Sequence, residues 1–539
     1  MNPRKLLPSR ADYRAVPRTW RGDLVAGITV GIVALPLALA FGVSSGAGAE
    51  SGLVTAIVAG IVAAVFGGSN VQVSGPTGAM VVVLAPIMAT HGAGALALIC
   101  LLSGAIVMIA GALRLGRTIS YIPWPVIEGF TLGIAVIIFL QQVPSAVGAP
   151  PGESTNAAVA AVQSLLAASW PRLGWSLLLV LIVVLIMLIS LRLAPNFPGS
   201  LLAIVVTGLL AALLGLPVDM IGELPSGLPA PTLPVVDPAV AVGLLGPALA
   251  VAALAAIESL LAARVAASIS DTGPYDADRE LVGQGLASVA AGLFGGMPAT
   301  GAIARTAVSI RAGARTRLAA IVHGLLLLAI VLVGASVVSR IPLAALAGVL
   351  MVTACRMVAP ATVRAVVGST RSDAVVFVTT AIVTVSVDLI YAVLIGLLAA
   401  GFFALRQLAK ASGVHREELP GAVRPGDERI AVFRLEGALF FGAAERMLQR
   451  VRTLRGIEVV VIRMSQLQIL DATGAQVITD MIGSLERRGI TVLVKGIRPE
   501  HLRVAERVGV LTSLRHQNHL FDDMASAAAH ARSHIARAA

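Results

Sequence analysis

Two stretches of the 539-residue chain, VSGPTGAM (Val73–Met80) and MPATGAIA (Met297–Ala304), each place a Pro, a Thr and a Gly inside long apolar runs. Backbone N–H and C=O groups cannot be left bare in lipid, so irregular chain at that depth must be buried in protein or line a polar cavity. Each stretch reads as a short extended piece followed by a half-helix. Pro76 or Pro298 falls near its first turn, where a missing N–H costs nothing. Thr77 and Thr300 supply hydroxyls, and Gly78 and Gly301 allow a ligand to approach the backbone. A helix N-terminus presents unsatisfied N–H groups and roughly half a positive charge. Two such ends facing one cavity make an anion site, to which Arg305 would add a full charge at a depth where Arg is otherwise expensive. Alternatively, the Pro and Gly residues only permit tight helix packing.

Glu258 lies in the run ALAAIESLLAARVAASI. A carboxylate there is read as the ion-coupling residue: a proton carrier if burial keeps it protonatable, or a cation ligand if a metal ion keeps it charged. The structural alternative is an ion pair with Arg264 or Arg305. Glu128 and Glu280, near segment ends, read as structural or interfacial.

These residues need a membrane scaffold, and the composition supplies one. The chain is 57% hydrophobic and 13% charged, with mean hydropathy +0.90, far above a soluble mixture. Apolar segments long enough to span a bilayer number fourteen, the first near 24–42 and the last near 389–408. The first 23 residues are basic, are broken by Pro3, Pro8 and Pro17 and lack a secretory-signal pattern. With a cytoplasmic N-terminus, the loops after even-numbered segments carry Arg114, Arg117, Arg192, Arg279, Arg311, Arg315, Arg317, Arg364 and Arg371, against Arg172 and Arg340 on the opposite side. That asymmetry follows the positive-inside rule and accounts for the net charge of +11 without nucleic acid. An internal repeat is visible: IPWPVIEG at 122–129 against IPLAALAG at 341–348, and AGIVAAVFGG at 59–68 against ASVAAGLFGG at 287–296. Pro76 and Pro298 are 222 residues apart, as are Pro36 and Glu258, which puts Glu258 on the first segment of the second repeat. A repeat of seven segments must insert upside down relative to its twin, as in secondary transporters.

From about residue 429 short strands alternate with amphipathic helices, including one expected near 443–453, giving a small α/β domain. In LDATGAQ, Asp471 is placed to cap a helix, and Thr473 is a candidate phosphosite. Cys100 and Cys355 lie in apolar segments and offer neither a disulfide framework nor a cysteine metal site. His516, His519, His530 and His534 have spacings that a helix could turn into metal pairs, but in a polar tail without Cys partners no metal site is assigned. No GxxxxGK[ST] loop occurs, so an ion gradient rather than ATP is the expected energy source, and no cofactor is implied.

LPLALAFG at 35–42, FGG followed by VSGPTGAMVVV, ELVGQG and GLFGGMPATGAIARTAV resemble the SulP (sulfate permease) anion transporters, and the tail resembles their STAS domain, with DATG in place of D-x-S/T-G. The resemblance covers about residues 15–515 and is strongest to bacterial bicarbonate and dicarboxylate carriers. It implies an α-helical membrane protein of fourteen segments in two inverted seven-segment repeats, forming core and gate domains that move by elevator-like alternating access, with a cytoplasmic STAS domain. The implied division is 1–22 N-terminal segment, 23–411 transporter, 412–428 linker and 429–539 STAS domain with a helical tail. The implied substrate site comprises Phe41, Pro76, Thr77, Gly78, Thr300, Gly301, Ala302 and Arg305, with Glu258 as the ion-coupling residue. Ala262, where sodium-coupled members carry a hydroxyl, favours protons, and Leu37, where many sulfate carriers have Gln, leaves bicarbonate or a dicarboxylate open. The expected protein is no enzyme. It is a proton-coupled symporter of small anions in the inner membrane, usually dimeric, with both termini cytoplasmic and a possible cytoplasmic partner for the tail. The alternatives are an uncoupled channel or exchanger, a sodium-coupled bicarbonate symporter, or a membrane-anchored regulator.

Overall fold

The computed structural model describes residues 6–117, 122–154, 156–193, 198–224, 227–234, 238–387, 389–411, 413–439 and 456–538. The chain forms two compact units, Met1–Leu397 and Leu398–Ala539.

Each of the fourteen apolar segments coincides with a helix: α1 (Val16–Ser44), α2 (Ala49–Phe66), α3 (Gly78–His91), α4 (Ala95–Ala112), α5 (Trp124–Gln141), α6 (Arg172–Leu193), α7 (Gly199–Leu214), α8 (Leu245–Ile269), α9 (Ala277–Leu293), α10 (Ile303–Arg311), α11 (Leu318–Val338), α12 (Leu343–Met357), α13 (Arg371–Ser386) and α14 (Leu389–Ala411). Among the described residues, nine helices are long and apolar enough to cross a membrane, whereas α3, α7 and α10 are shorter. α3 and α10 are the expected half-helices, each preceded by a two-residue strand, β1 (Ser74–Gly75) and β2 (Thr300–Gly301).

The packing has the symmetry of an inverted repeat. α5 packs on α13 as α6 packs on α12, α4 on α9 as α2 on α11, and α1 on α11 as α4 on α8. Each second pair is the first shifted by seven helices. These contacts separate a core of α1–α4 and α8–α11 from a second group of α5–α7, α12 and α13, which meet through α1 with α7 and α12, and α3 with α5. Small residues permit the close approaches. A Cβ on Gly104 would lie 2.7 Å from the Gly285 carbonyl oxygen, and one on Gly285 would lie 2.5 Å from the Gly104 oxygen, so these two glycines set the α4–α9 contact. Outward faces carry exposed Leu, Val and Ile, as on α6 and α7, which suits lipid as solvent.

The turn between α2 and β1 is held by Glu280, whose Oε2 accepts the Gly68 N–H at 2.7 Å and the Ser69 N–H at 3.0 Å. A Cβ on Gly68 would lie 1.9 Å from the Asp276 carbonyl oxygen and 2.9 Å from the Glu280 nitrogen, both backbone atoms that cannot swing aside. Gly68→Ala is therefore expected to destabilise the transporter by about 1–3 kcal/mol, read as a lowered thermal midpoint in detergent; an unchanged midpoint would show that the turn relaxes freely. Arg317, counted by sequence among loop cations, is 2% exposed and donates to the Ala64 and Gly67 carbonyls at 2.9 and 2.7 Å. It serves that same turn rather than a lipid headgroup.

The second unit contains a five-stranded sheet in the order β3 (Gly413–Glu417), β4 (Ile430–Leu439), β5 (Val459–Leu470), β6 (Thr491–Lys495), β7 (Leu520–Phe521). All pairings are parallel except β3 with β4. Residues 413–417, read as linker from the sequence, thus form the antiparallel edge strand. The helix expected near 443–453 lies outside the described residues. Alternation along β5 sends Val460 and Ile462 into a core shared with Ile478 and Ile482 of α15 (Ala472–Arg487), which also receives Ala505 of α16 (Pro499–Val508). Val459 and Val461 face Ala527 and Ala531 of α17 (Met524–Ala538). Arg532 on α17 forks onto Asp427 at 2.9 Å on each oxygen, and this bidentate hydrogen bonding holds the Asp427 carboxyl down to about 2. Asp471 caps α15 as expected, accepting the Gly474 N–H at 2.7 Å, and Thr473 is exposed beside it.

Candidate functional site

β1 and β2 pair antiparallel, Ser74 opposite Gly301 and Gly75 opposite Thr300. Because the two chains run in opposite directions, α3 and α10 leave the ribbon in opposite directions with their N-termini beside it. Neither helix is capped by a side chain. Backbone groups of the ribbon are met locally: Ala302 N–H donates to the Val73 carbonyl at 2.9 Å, Gly301 N–H to Ser259 Oγ at 3.0 Å, and Val73 N–H to Thr306 Oγ1 at 3.0 Å. The unwound chain is thus hydrogen-bonded to its surroundings, and its two helix ends carry no side-chain cap.

Glu258, on α8, reaches this junction. Its Oε2 accepts the Thr77 hydroxyl at 2.8 Å and the Thr300 hydroxyl at 2.6 Å, and the two threonine oxygens are 3.1 Å apart. Residues from both repeats therefore share one oxygen triangle. With Glu258 ionised, the two hydroxyl protons satisfy the two edges to Oε2; a proton on Oε2 donates along one of these edges and frees that threonine's hydroxyl to turn to the other threonine. The triangle accommodates both protonation states with little movement.

The cavity beside it has a volume of about 330 Å³ and lies between the two helix groups, with Leu37, Phe41, Thr77, Gly78, Glu258, Ala302 and Arg305 on the core side and Val126, Phe130, Ile134, Thr353, Arg356 and Val393 opposite. Its lining is mainly apolar with a few convergent polar groups, the usual character of a small-ligand site. Of the expected residues, Phe41, Thr77, Gly78, Ala302, Arg305 and Glu258 line it, whereas Pro76, Thr300 and Gly301 are outside its lining. Arg305 is 3% exposed; one guanidinium nitrogen, Nη2, donates to the Pro76 carbonyl, and the other, Nη1, is buried without a partner. Among the described residues no ion pair joins Arg305 to Glu258, and Arg264 is exposed six residues along α8, about 240° round the helix. Glu258 is thus held by hydroxyls rather than by a neighbouring Arg305.

A Cβ on Gly301 would lie 1.9 Å from Gln72 Nε2, and one on Gly78 would lie 2.3 Å from Ile138 Cδ1, so a side chain at either position would press on a neighbour, while Gly78 itself lines the cavity. Gly75 has φ +154°, and a Cβ there would meet Arg305 Nη1 at 2.9 Å. Its freedom of conformation and its bare surface are what let Arg305 cross from one repeat to the other.

The sequence did not single out a supporting layer. Thr55, on the π-helical turn Thr55–Ala59, accepts the Met297 N–H at 2.7 Å. Gln284 donates to Ser74 Oγ and to Glu280 Oε1, the latter at 3.0 Å. Gln72 is buried with its amide atoms unpartnered, and Arg356 lines the far side of the cavity. Polar residues inside apolar helices were the available signal, but Ser, Thr and Gln are common there and only proximity to the ribbon distinguishes these. Glu128 accepts the Trp124 Nε1–H at 2.9 Å at an exposed position, away from the cavity lining.

The Sulfate permease family matches residues 20–380, and the STAS domain matches residues 422–527. The chain is 34% identical over 513 residues to YvdB of Bacillus subtilis, whose name marks it as a candidate sulfate transporter, covering 93% of this chain and 96% of that protein. It is 29% identical over 533 residues to the bicarbonate transporter BicA of Synechocystis, covering 95% and 94%. The solved transmembrane domain of a cyanobacterial BicA superposes with TM-score 0.62 at 31% identity, over 71% of this chain and 98% of that one. The murine anion transporter Slc26a9, solved in the inward-facing state, superposes with TM-score 0.81 over 95% of this chain and 91% of that one; at 17% identity it attests the fold alone. Inverted helix repeats, paired broken segments and an α/β tail agree with these matches, and the chain belongs to the Sulfate permease family, a multi-pass membrane anion transporter with a C-terminal STAS domain and not an enzyme.

Proposed function

We propose that the protein is a proton-coupled symporter of a small anion of the sulfate, bicarbonate or dicarboxylate class. The observation that carries this reading is the Glu258–Thr77–Thr300 triangle at the mouth of two half-helices. A single carboxyl group there links a proton to an anion site whose other elements are helix N-termini and Arg305. Phe41, Pro76, Thr77, Gly78, Thr300, Gly301, Ala302 and Arg305 form or support the substrate site, and Glu258 carries the proton. Ala262, one turn after Glu258, is buried and offers no oxygen, so sodium would find fewer ligands than its coordination needs. The cavity lies between the helix groups, which suits an elevator motion of the core against the other group. The protein acts as a homodimer in the inner membrane with both termini cytoplasmic, and phosphorylation at Thr473 or a cytoplasmic partner regulates it through the STAS domain.

The test is uptake of labelled sulfate, bicarbonate, fumarate and succinate into proteoliposomes, with and without an inward proton gradient or sodium. At least one anion is expected to accumulate with the proton gradient and without sodium. A proton and bicarbonate recombine to CO2 and water, so sulfate and the dicarboxylates are the clearer reporters. Flux of every anion indifferent to the proton gradient would overturn symport in favour of a channel or exchanger.

A further inference from the structure

We propose that the C-terminal unit carries a site for a divalent transition metal of the Zn2+ type, formed by His519, His530 and His534. The sequence spacing alone suggested pairs, His516 with His519 and His530 with His534. The fold adds a third imidazole from elsewhere: His519 ends the short 3-10 turn Gln517–His519 before β7, whereas His530 and His534 are one turn apart on α17.

The geometry fits the metal. One ring nitrogen from each of the three lies within 4.8 Å of the others. His530 Nε2 and His534 Nε2 are 3.3 Å apart, the edge of a tetrahedron whose metal–nitrogen bonds are about 2.0 Å. The ring of the exposed His516 is centred 5.4 Å from that of His519, near enough to supply a fourth ligand after a rotamer change, or water can do so. His519 is 2% exposed, and its Nδ1 is buried without a hydrogen-bond partner, a lone pair or N–H that folding has taken from water for no visible return.

An all-imidazole set without a carboxylate selects Zn2+, Co2+, Ni2+ or Cu2+ over Mg2+ and Ca2+. The same 3.3 Å spacing also suits a metal-free imidazole–imidazole hydrogen bond, so the experiment must separate the two. A bound ion would clasp α17 to the β7 end of the sheet, and α17 packs against Val432, Val459, Val461 and Leu493 on one face of that sheet.

The test uses the full-length protein without a histidine tag, stripped with chelator in detergent and titrated with Co2+ and then Zn2+. The expected result is a tetrahedral Co2+ visible band displaced by one equivalent of Zn2+, and one Zn2+ retained per chain after desalting. His530→Gln and His534→Gln keep the helix and should each weaken binding at least tenfold, whereas His415→Gln, in β3, should not change it. Zn2+ should raise the thermal midpoint of the STAS transition in the wild type and not in the two variants. Affinity should fall as the solution is acidified, because protons then compete with the metal for the lone pairs. Absence of a stoichiometric site, or a site that survives both substitutions, would overturn the proposal.

Discussion

Glu258→Gln is expected to abolish accumulation driven by a proton gradient while leaving anion exchange in place. The glutamine side chain keeps the size of the carboxyl and can still exchange hydrogen bonds with Thr77 and Thr300, at 2.8 and 2.6 Å in the parent. It cannot gain or lose a proton, so the triangle is held permanently in a neutral state. For a carrier moving one proton per anion without a membrane potential, each unit of pH gradient supplies about 1.4 kcal/mol, or about tenfold accumulation. In the variant that ratio should fall to about one, while counterflow of labelled against unlabelled anion persists because it needs no net proton movement. Persisting gradient-driven accumulation would remove Glu258 from coupling. Loss of both activities with normal folding would instead place Glu258 in anion binding itself.

The second large effect is expected at Arg305. Its guanidinium ties α10 to the Pro76 carbonyl of the other repeat, its Nη1 is buried without a partner, and the residue lines the cavity. If Nη1 serves the anion, Arg305→Ala removes a charge-assisted contact of about 1.5–3 kcal/mol, and KM for uptake should rise about tenfold to a hundredfold. Arg305→Lys keeps the charge but cannot reach both the carbonyl and the ligand, so it should restore part of the affinity. If Arg305 only fastens Pro76, Ala lowers the thermal midpoint with KM unchanged in the surviving protein. The KM and the thermal midpoint together separate binding from fastening.

The helix boundaries were legible because lipid imposes a strict rule: a spanning segment must be apolar and long, and a break in it is costly. The half-helices were legible for the same reason, and their relation through the 222-residue offset followed from Pro76 and Pro298. What packs against individual glycines was not. Gln72 lies where a Cβ on Gly301 would point, and Ile138 lies where one on Gly78 would point. Sequence shows that a side chain is missing, while only the fold shows what occupies the gap. Arg317 likewise read as a topogenic loop cation and proved to be buried against two carbonyls of the α2–β1 turn.

By itself the sequence determined the class of molecule: the solvent it lives in, the number and order of its apolar segments, the inverted repeat, and the residue types that could hold an anion and a proton. These are properties of composition and periodicity, which chain chemistry fixes locally. The tertiary structure alone decided which oxygen of Glu258 meets which hydroxyl, that Arg305 crosses to the opposite repeat, and that His519 joins His530 and His534. Each of these depends on residues far apart in the chain meeting within about 3–5 Å, a condition set by how helices and strands pack against one another and carried by no single stretch of sequence.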